Sequence, residues 1–372
     1  MRNSRRFVNS LLFALAYLPA LAAGSLLDAR ADDQPITISV APFAGVGEKT
    51  AKIGTRTGAI LNLQIWQTLR IPPNADGNHA RGTVTWDFDS RPPTTFVEAE
   101  TYAAAQKDQE PQVVVWGRAW QYGSGTIAEA FLSIREGKPE GLFGADLWTV
   151  NTPDGDTFAV GVPRRQIEFK PIVIRSDLLP ELVAPDGLTL YRLPSGPESL
   201  GPVGNYFTAL EQGADSTKVR LPNGTEGWIH LPSLSRERSE VVDFSGGILR
   251  IFRRDWAGAR QLLLRAAQNA HAPTAVRSDS YLYIAVAAAR SGGDPVPWIK
   301  KAYELDPYSK IALQYLCMSQ LQEAYSQAGD NSGVHMENLN RLLKLGAPLY
   351  SRNDPWFLHL NTFVDHYRSK AK

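Results

Sequence analysis

The carboxy-terminal third of the chain carries helix-stop and helix-start residues at regular intervals, and this spacing limits its possible folds more than any other feature. Asp294 precedes a proline, which combines an N-cap with a residue suited to the first helical turn. The Gly-Asp pairs at Gly293 and Gly329 are 36 residues apart, and Asp255 precedes Asp294 by 39. Helix pairs that repeat every ~34 to 40 residues are typical of an α-solenoid. We therefore predict a domain of stacked helix pairs over residues 237–372.

The preceding segment, residues 177–236, is rich in short apolar runs separated by Pro, Gly and Asn. Asn223-Gly224 lies between two of these runs and is a strong signal for a tight hairpin turn. Several short strands at this spacing predict a small, strongly bent β-barrel. The predicted strands are 188–191, 205–210, 217–221 and 227–230.

Residues 32–176 mix strand and helix patterns and predict an α/β domain. Ile38 and Val40 alternate with polar residues, as in a half-buried strand, whereas the apolar residues of 53–69 recur at helical spacing. Gly123-Ser124-Gly125 separates two strand patterns and predicts a hairpin. The whole chain is thus expected to be a multidomain α+β protein. The predicted elements are strands 36–40, 82–88, 112–122, 126–134, 147–150, 157–162 and 165–174, and helices 53–69 and 95–107.

The first 31 residues have the features of a secretory signal peptide. Three arginines in the first six residues precede a short apolar run over 8–18, and small-x-small sites end at residues 22 and 31. We expect cleavage and export to the periplasm, with an extracellular location also open; a retained anchor is the alternative. No later segment is long and apolar enough to span a bilayer, so we expect no stable membrane insertion after cleavage.

Charge and cysteine content exclude some functions. The formal net charge is +1, of which residues 1–31 carry +3, so the mature chain is close to −2. Nucleic-acid binding needs a basic patch, and none is predicted. The single cysteine, Cys317, cannot form an internal disulfide and lies in a helical pattern, which favours a buried, inert thiol.

Two short segments of the first domain carry a family resemblance. Val40-Ala41-Pro42-Phe43 ends the first predicted strand, and Val113-Val114-Val115-Trp116-Gly117-Arg118 forms a later one. Both resemble the TolB amino-terminal domain and related envelope domains. Members of that family bind partners and carry no catalytic residues, so the resemblance implies a binding role for residues 32–176.

The second domain carries the most specific motif. Leu188-Thr189-Leu190-Tyr191 and the segment 218–229, which ends in Gly227-Trp228-Ile229, resemble a bacterial SH3-like domain. Such domains in exported proteins often bind cell-wall peptides or proteins. The resemblance implies an aromatic-lined site for an extended peptide, formed by Tyr191, Tyr206 and Trp228. Core packing of Trp228 is the alternative.

The third domain is similar to tetratricopeptide-like (TPR-like) repeats. Asp255-Trp256-Ala257-Gly258-Ala259 resembles the start of a second repeat helix, and residues 302–307 resemble a repeat ending. The resemblance implies stacked helix pairs with a concave face for an extended partner.

Patterns that could support catalysis or metal binding are incomplete. Glu48 separates a glycine from Lys49 in a loop that would otherwise resemble a phosphate-binding loop. His359 and His366 share a helix face, but two ligands rarely hold a metal. Asp87 and its neighbour Asp89 could form a carboxylate pair but are more typical of a solvated strand end. We predict no catalytic, cofactor or metal site.

These features together predict a non-catalytic envelope adaptor that binds envelope proteins, cell-wall peptides or both. Two alternatives remain open. One is a cell-wall hydrolase whose site is assembled from distant residues, which would need a carboxylate or histidine with a strongly shifted pKa in a cleft. The other is a purely structural protein in which the barrel packs its neighbours together and the surface of Tyr191 and Trp228 is covered.

Overall fold

The computed structural model describes residues 37–69, 83–86, 91–106, 113–135, 148–184, 188–204, 207–237, 239–326 and 332–370, with only the backbone for 37, 83–86 and 370. Within these ranges the chain has mixed α+β structure, and its carboxy-terminal region is helical. Asp87, Asp89 and Tyr206, considered above, lie outside the described residues.

The amino-terminal region forms a seven-stranded sheet with helices between its parallel strands. Its central path runs in the order β3-β1-β4-β5-β8; β2 adds to β4 and β9 to β5. The β4–β5 hairpin turns at Gly123-Ser124, as predicted. The strands are β1 Thr37–Val40, β2 Ala44–Gly45, β3 Thr83–Trp86, β4 Val113–Tyr122, β5 Gly125–Ile134, β8 Gln166–Glu168 and β9 Ile172–Ile174, and the helices are α1 Glu48–Gln67 and α2 Phe96–Ala105.

The helix α1 reaches all three regions of the chain. It lies close to the first sheet because Gly54 lacks a side chain: a Cβ there would lie 2.4 Å from the Phe43 carbonyl oxygen. Its polar side chains donate to backbone carbonyls of the second region, with Gln64 Nε2 3.2 Å from Pro232 O and Gln67 Nε2 2.8 Å from Ser216 O. Arg250 of the helical region donates to the Thr68 carbonyl just after α1. Most of the buried apolar side chains accordingly form one cluster that extends through all three regions, and a smaller second cluster contains Trp116 and Phe131.

The second region contains a five-stranded antiparallel sheet in the order β11-β10-β14-β13-β12. Its two end strands, β11 and β12, do not pair with each other, so the described strands leave the sheet open. A short 3-10 turn, Ser176–Leu178, and helix α3 precede it. The bounds are α3 Leu179–Val183, β10 Thr189–Tyr191, β11 Ser199–Pro202, β12 Thr208–Gln212, β13 Ser216–Arg220 and β14 Glu226–His230.

The sequence predicted this sheet incompletely. Strand β11 was missed because its Ser-Leu-Gly-Pro sequence has no alternating pattern. Asn223-Gly224 was predicted as the turn between strands 217–221 and 227–230, and the structure places both residues in the five-residue loop between Arg220 and Glu226. Gly224 adopts φ +85°, and the Asn223 side chain accepts a hydrogen bond from the Thr225 amide at 3.0 Å. The turn prediction is therefore confirmed.

The helical region consists of seven α-helices among the described residues. Two helix starts have an aspartate cap: Asp255 accepts from the Gly258 amide at 2.9 Å, and Asp354 accepts from the Phe357 amide at 3.0 Å. At the predicted N-cap Asp294 the helix begins one residue later than expected, with Pro295 in the cap position. Gly292, with φ +74°, follows the end of one helix. The helices are α4 Glu240–Phe252, α5 Trp256–Gln268, α6 Thr274–Arg290, α7 Val296–Leu305, α8 Lys310–Ser326, α9 Ser332–Gly346 and α10 Pro355–Lys370, with a 3-10 turn at Ala347–Leu349.

Two strands that the sequence placed in the first domain lie against the helical region instead. Strands β6 (Trp148–Asn151) and β7 (Thr157–Val160) pair only with each other and form a separate two-stranded sheet. This hairpin packs on α8. The predicted strand 165–174 is divided into β8 and β9, because Pro171 interrupts it.

Candidate binding surfaces

Tyr191 and Trp228 lie side by side on one face of the five-stranded sheet. They are paired residues of β10 and β14, so their side chains point to the same side of the sheet. On the other side of β14, Lys218 of β13 is paired with Trp228. His230 follows Trp228 by two residues and therefore shares this face. We call Tyr191, Trp228 and His230 together the aromatic face.

A stacked pair of rings forms one half of the aromatic face. The rings of Tyr191 and His230 lie 3.9 Å apart, centroid to centroid, and are parallel to within 2°. The His230 Nε2 atom is 3.3 Å from the Leu193 carbonyl oxygen, which fixes the plane of the imidazole. The Leu193 side chain is 56% exposed. The surface is thus apolar and preformed.

The aromatic face is partly exposed to solvent because the sheet uses its other face for the protein core. Leu190, Val219 and Ile229 point to that opposite side, and each is at most 1% exposed. Tyr191 and Trp228 are half-buried, and neither packs against the core cluster. Trp228 gains its partial burial from Gly213, where a Cβ would lie 3.2 Å from the Trp228 ring.

Charged groups flank the aromatic rings. Glu226 lies 3.0 Å from Lys218 Nζ and 2.7 Å from Arg220, and hydrogen bonds from these two cations lower the pKa of its carboxyl. At the opposite end of the face, burial raises the pKa of Glu181 on α3, while the charges of His230 and Arg56 act in the other direction. The surface therefore presents apolar rings between groups of both charges.

Of the three predicted site residues, the structure brings Tyr191 and Trp228 together. Tyr206 lies outside the described residues. Sequence reasoning did not include His230, although its position two residues after Trp228 placed it on the same strand face. Strand periodicity was the signal that could have identified it.

Other aromatic residues serve as core. Trp116 is 2% exposed and stacks on Phe131 at 4.4 Å, with Phe96 of α2 meeting it edge-on at 5.1 Å. Trp116 is therefore a core residue, whereas Trp120 is only half-buried. Cys317 is fully buried, as predicted, and burial raises the pKa of its thiol.

The carboxylate with the largest shift lies in the helical region. Asp279 of α6 is 1% exposed, and burial raises its pKa to about 7; Arg164 opposes this shift and Asp306 adds to it. The Arg164 Nε atom is 3.4 Å from Asp279 Oδ2, and neither carboxylate oxygen accepts a hydrogen bond from the described residues. A buried ion pair of this kind does not supply the solvent-facing acid that a hydrolase would need.

The loop that resembled a phosphate-binding loop is the start of α1. Gly47 has φ +87° and precedes the helix, and Thr50 donates its hydroxyl to the Val46 carbonyl rather than presenting it to a ligand. His359 is bound to Asp156 at 3.1 Å. No group of three or more His, Cys, Asp or Glu side chains among the described residues is arranged to hold a metal ion.

Two cavities lie where the three regions meet. One of about 560 Å³ is lined by α1, by the segment 231–239 and by α4 and α5. The other, of about 530 Å³, lies between strand β9 and the same segment. Their charged groups are largely paired with each other, as Lys170 is with Glu237 at 2.6 Å and Arg265 with Asp243 at 2.8 Å. These cavities carry less recognition chemistry than the aromatic face.

Compared with known proteins, the chain matches no family model, no curated protein and no solved structure. Within the ranges that the structure describes, no helix has both the length and the apolar character needed to cross a bilayer.

Proposed function

We propose that the protein is an exported, non-catalytic adaptor of the bacterial envelope. It binds cell-wall peptides or envelope proteins through the aromatic face, while its helical region provides a second surface. In this proposal the five-stranded sheet is an SH3-like module and the seven helices are TPR-like repeats. The first region corresponds to a TolB amino-terminal-like domain, and residues 1–31 are the signal peptide.

The aromatic face is the observation that carries this proposal. It combines a stacked Tyr191–His230 pair with the half-buried Trp228 ring, on the side of the sheet that does not face the core. Flat, preordered aromatic surfaces suit extended peptides, which contribute apolar side chains and main-chain polar groups. Tyrosine and tryptophan are also enriched among residues that dominate binding energies.

The charges around the rings favour a ligand that carries charges of both signs. Lys218 and Glu226 lie beside Trp228, and they are one-third exposed. Cell-wall stem peptides and the loops of envelope proteins both present carboxylates and amines next to small apolar groups. The surface therefore fits either class, and a binding experiment has to distinguish them.

Co-sedimentation with purified peptidoglycan sacculi tests the proposal directly. We expect the mature protein to sediment with sacculi and Trp228→Ala to bind at least ~10-fold more weakly, since a buried aromatic contact is worth about 1.4 kcal/mol or more. Tyr308→Ala is the matched control, because Tyr308 is 82% exposed in the helical region and far along the chain from the aromatic face. Circular dichroism establishes that both variants are folded.

The outcomes separate the two ligand classes. Sedimentation of the wild type and of Tyr308→Ala, with loss in folded Trp228→Ala, would identify the aromatic face as a wall-binding site. If none of the three sediments, wall binding is wrong. A photo-crosslinker at position 228 in the living envelope then tests the protein-partner form, and its failure to capture any protein would reject the adaptor role of this face.

A further inference from the structure

The β6–β7 hairpin depends on the helical region for its structure. Its two strands pair with each other and with no other described strand. A two-stranded hairpin is at best marginally stable in water by itself. The helices α6, α8 and α10 supply the contacts that hold it, through Tyr283, Tyr315, Gln322, Trp356, His359 and Phe363. We call these six residues the hairpin-binding face.

Most polar contacts of this face are made to backbone carbonyls. The Tyr315 hydroxyl donates to the Gly161 carbonyl at 2.9 Å, and the Trp356 indole donates to the Ala159 carbonyl at 2.9 Å. Tyr283 donates in the same way to the carbonyl of the third residue after Gly161, at 3.2 Å. Because every sequence has such carbonyls, these donors recognise an extended backbone rather than particular side chains.

One apolar side chain anchors the hairpin. Phe158 is 1% exposed, and its ring lies 4.5 Å from the His359 ring and 5.1 Å from the Phe363 ring. Val150 and Val160 add smaller buried contacts. Trp148 adds a second aromatic contact, with its ring centroid 6.1 Å from that of Tyr315. Aromatic side chains of this kind often dominate the binding energy of a peptide.

The remaining contacts of the hairpin lie at the exposed rim. His359 and Asp156 are 49% and 40% exposed at their 3.1 Å contact, so this pair contributes little stability. Trp148 donates its indole N–H to Gln322, an exposed residue, at 2.7 Å. The hairpin is thus fixed by Phe158 and by the carbonyl bonds, and its edge is accessible to solvent.

The groove extends beyond the hairpin. A cavity of about 260 Å³ begins at Trp148 and Tyr315 and continues between α6 and α7, where Val286 and Ile299 line it. Arg290 lies at the same cavity. The hairpin therefore fills only part of the surface that the helices provide.

We propose that the hairpin-binding face is a recognition surface for an extended peptide with an aromatic residue, and that the chain's own hairpin occupies it as a displaceable ligand. The tether gives the hairpin a high effective concentration, on the order of millimolar, so weak peptides cannot displace it. A partner that also fills the 260 Å³ cavity gains contacts that the hairpin does not make. The inference deepens the proposed adaptor function and rests on it for its biological use.

A labelled peptide with the sequence of residues 148–164 tests this inference by fluorescence anisotropy with the full mature chain. We expect Phe158→Ala to bind the peptide at least ~10-fold more tightly than the wild type, because its own hairpin no longer covers the face. Adding Trp356→Phe to that variant should weaken binding ~5-fold, through loss of one hydrogen bond. A peptide with alanine in place of Phe158 is the matched control and should not bind.

Equal affinity of the wild type and Phe158→Ala would overturn the inference, as would absence of binding to both. If Phe158→Ala does not fold, hydrogen exchange on the wild type gives the answer instead. Saturating peptide should then accelerate exchange of the amides in 148–160 and leave the β4–β5 hairpin unchanged; no acceleration would contradict displacement. Trp228→Ala should behave as the wild type in both assays, so this test and the sacculus experiment fail independently.

Discussion

Trp116 and Trp228 are both tryptophans on antiparallel strands, yet one belongs to the core and the other to an open surface. Trp116 is enclosed by Phe131 and by Phe96 of α2, and its indole N–H donates to Ser133 Oγ at 3.1 Å. Trp228 is half-buried on a sheet whose opposite face packs on the core, and its ring is not among those that pack against the core cluster. The difference shows that the covering element, rather than residue type or strand periodicity, decides whether an aromatic side chain is available for binding.

The largest expected effect is on stability, at Trp116. Trp116→Ala removes a fully enclosed ring and leaves a cavity and an unpaired Ser133 hydroxyl, so the free energy of unfolding should fall by about 3–5 kcal/mol. Urea unfolding followed by circular dichroism measures this loss. A loss below about 1 kcal/mol would contradict the enclosure and remove the basis of the comparison.

Asp279→Asn tests how strongly the burial of an ionisable side chain affects the free energy of unfolding. The pKa of Asp279 is about 7, against about 4 for an ordinary aspartate, so between these values the folded chain holds a proton that the unfolded chain has lost. The free energy of unfolding should therefore decrease as the pH rises from about 4.5 to 8, by on the order of 3 kcal/mol. Asp279→Asn should abolish this contribution, and urea unfolding at both pH values measures it.

Glu226→Gln is the control for Asp279→Asn, because Glu226 is a partly exposed carboxylate. It lies beside Trp228 and is bound to Lys218 and Arg220. The pKa of the Glu226 carboxyl is lowered in the folded chain, so any stability that this group contributes is lost as the pH falls. This pH dependence is opposite in sign to that expected for Asp279. Equal pH slopes for the wild type and Asp279→Asn would show that the buried carboxyl is not responsible.

The smallest expected change in stability is at Trp228. Trp228→Ala removes a half-buried ring that is not packed on the core, so the free energy of unfolding should change by about 1 kcal/mol or less. The same substitution is expected to have the largest effect on ligand binding. A loss of stability as large as that of Trp116→Ala would place Trp228 in the core and favour the structural alternative, in which this surface only packs.

The candidate site was predictable from sequence only in part. Tyr191 and Trp228 were identified by resemblance, and their pairing across β10 and β14 agrees with a shared surface. His230 was missed because a histidine carries no site signal of its own, even though strand periodicity placed it beside Trp228. The hairpin-binding face could not be predicted, since its donors come from three helices that are distant in sequence.

The sequence by itself determined the local structure: the Asp caps at residues 255 and 354, the hairpin at Gly123-Ser124, and the alternation of strand and helix patterns. These features depend on hydrogen bonds and backbone preferences within a few residues, so neighbouring residues specify them. Only the tertiary structure decided that β6 and β7 leave the first sheet for the helices, and that α2 covers Trp116 while Trp228 stays partly exposed. Burial depends on which elements meet in space, and that depends on the apolar surface of the whole chain rather than on any local pattern.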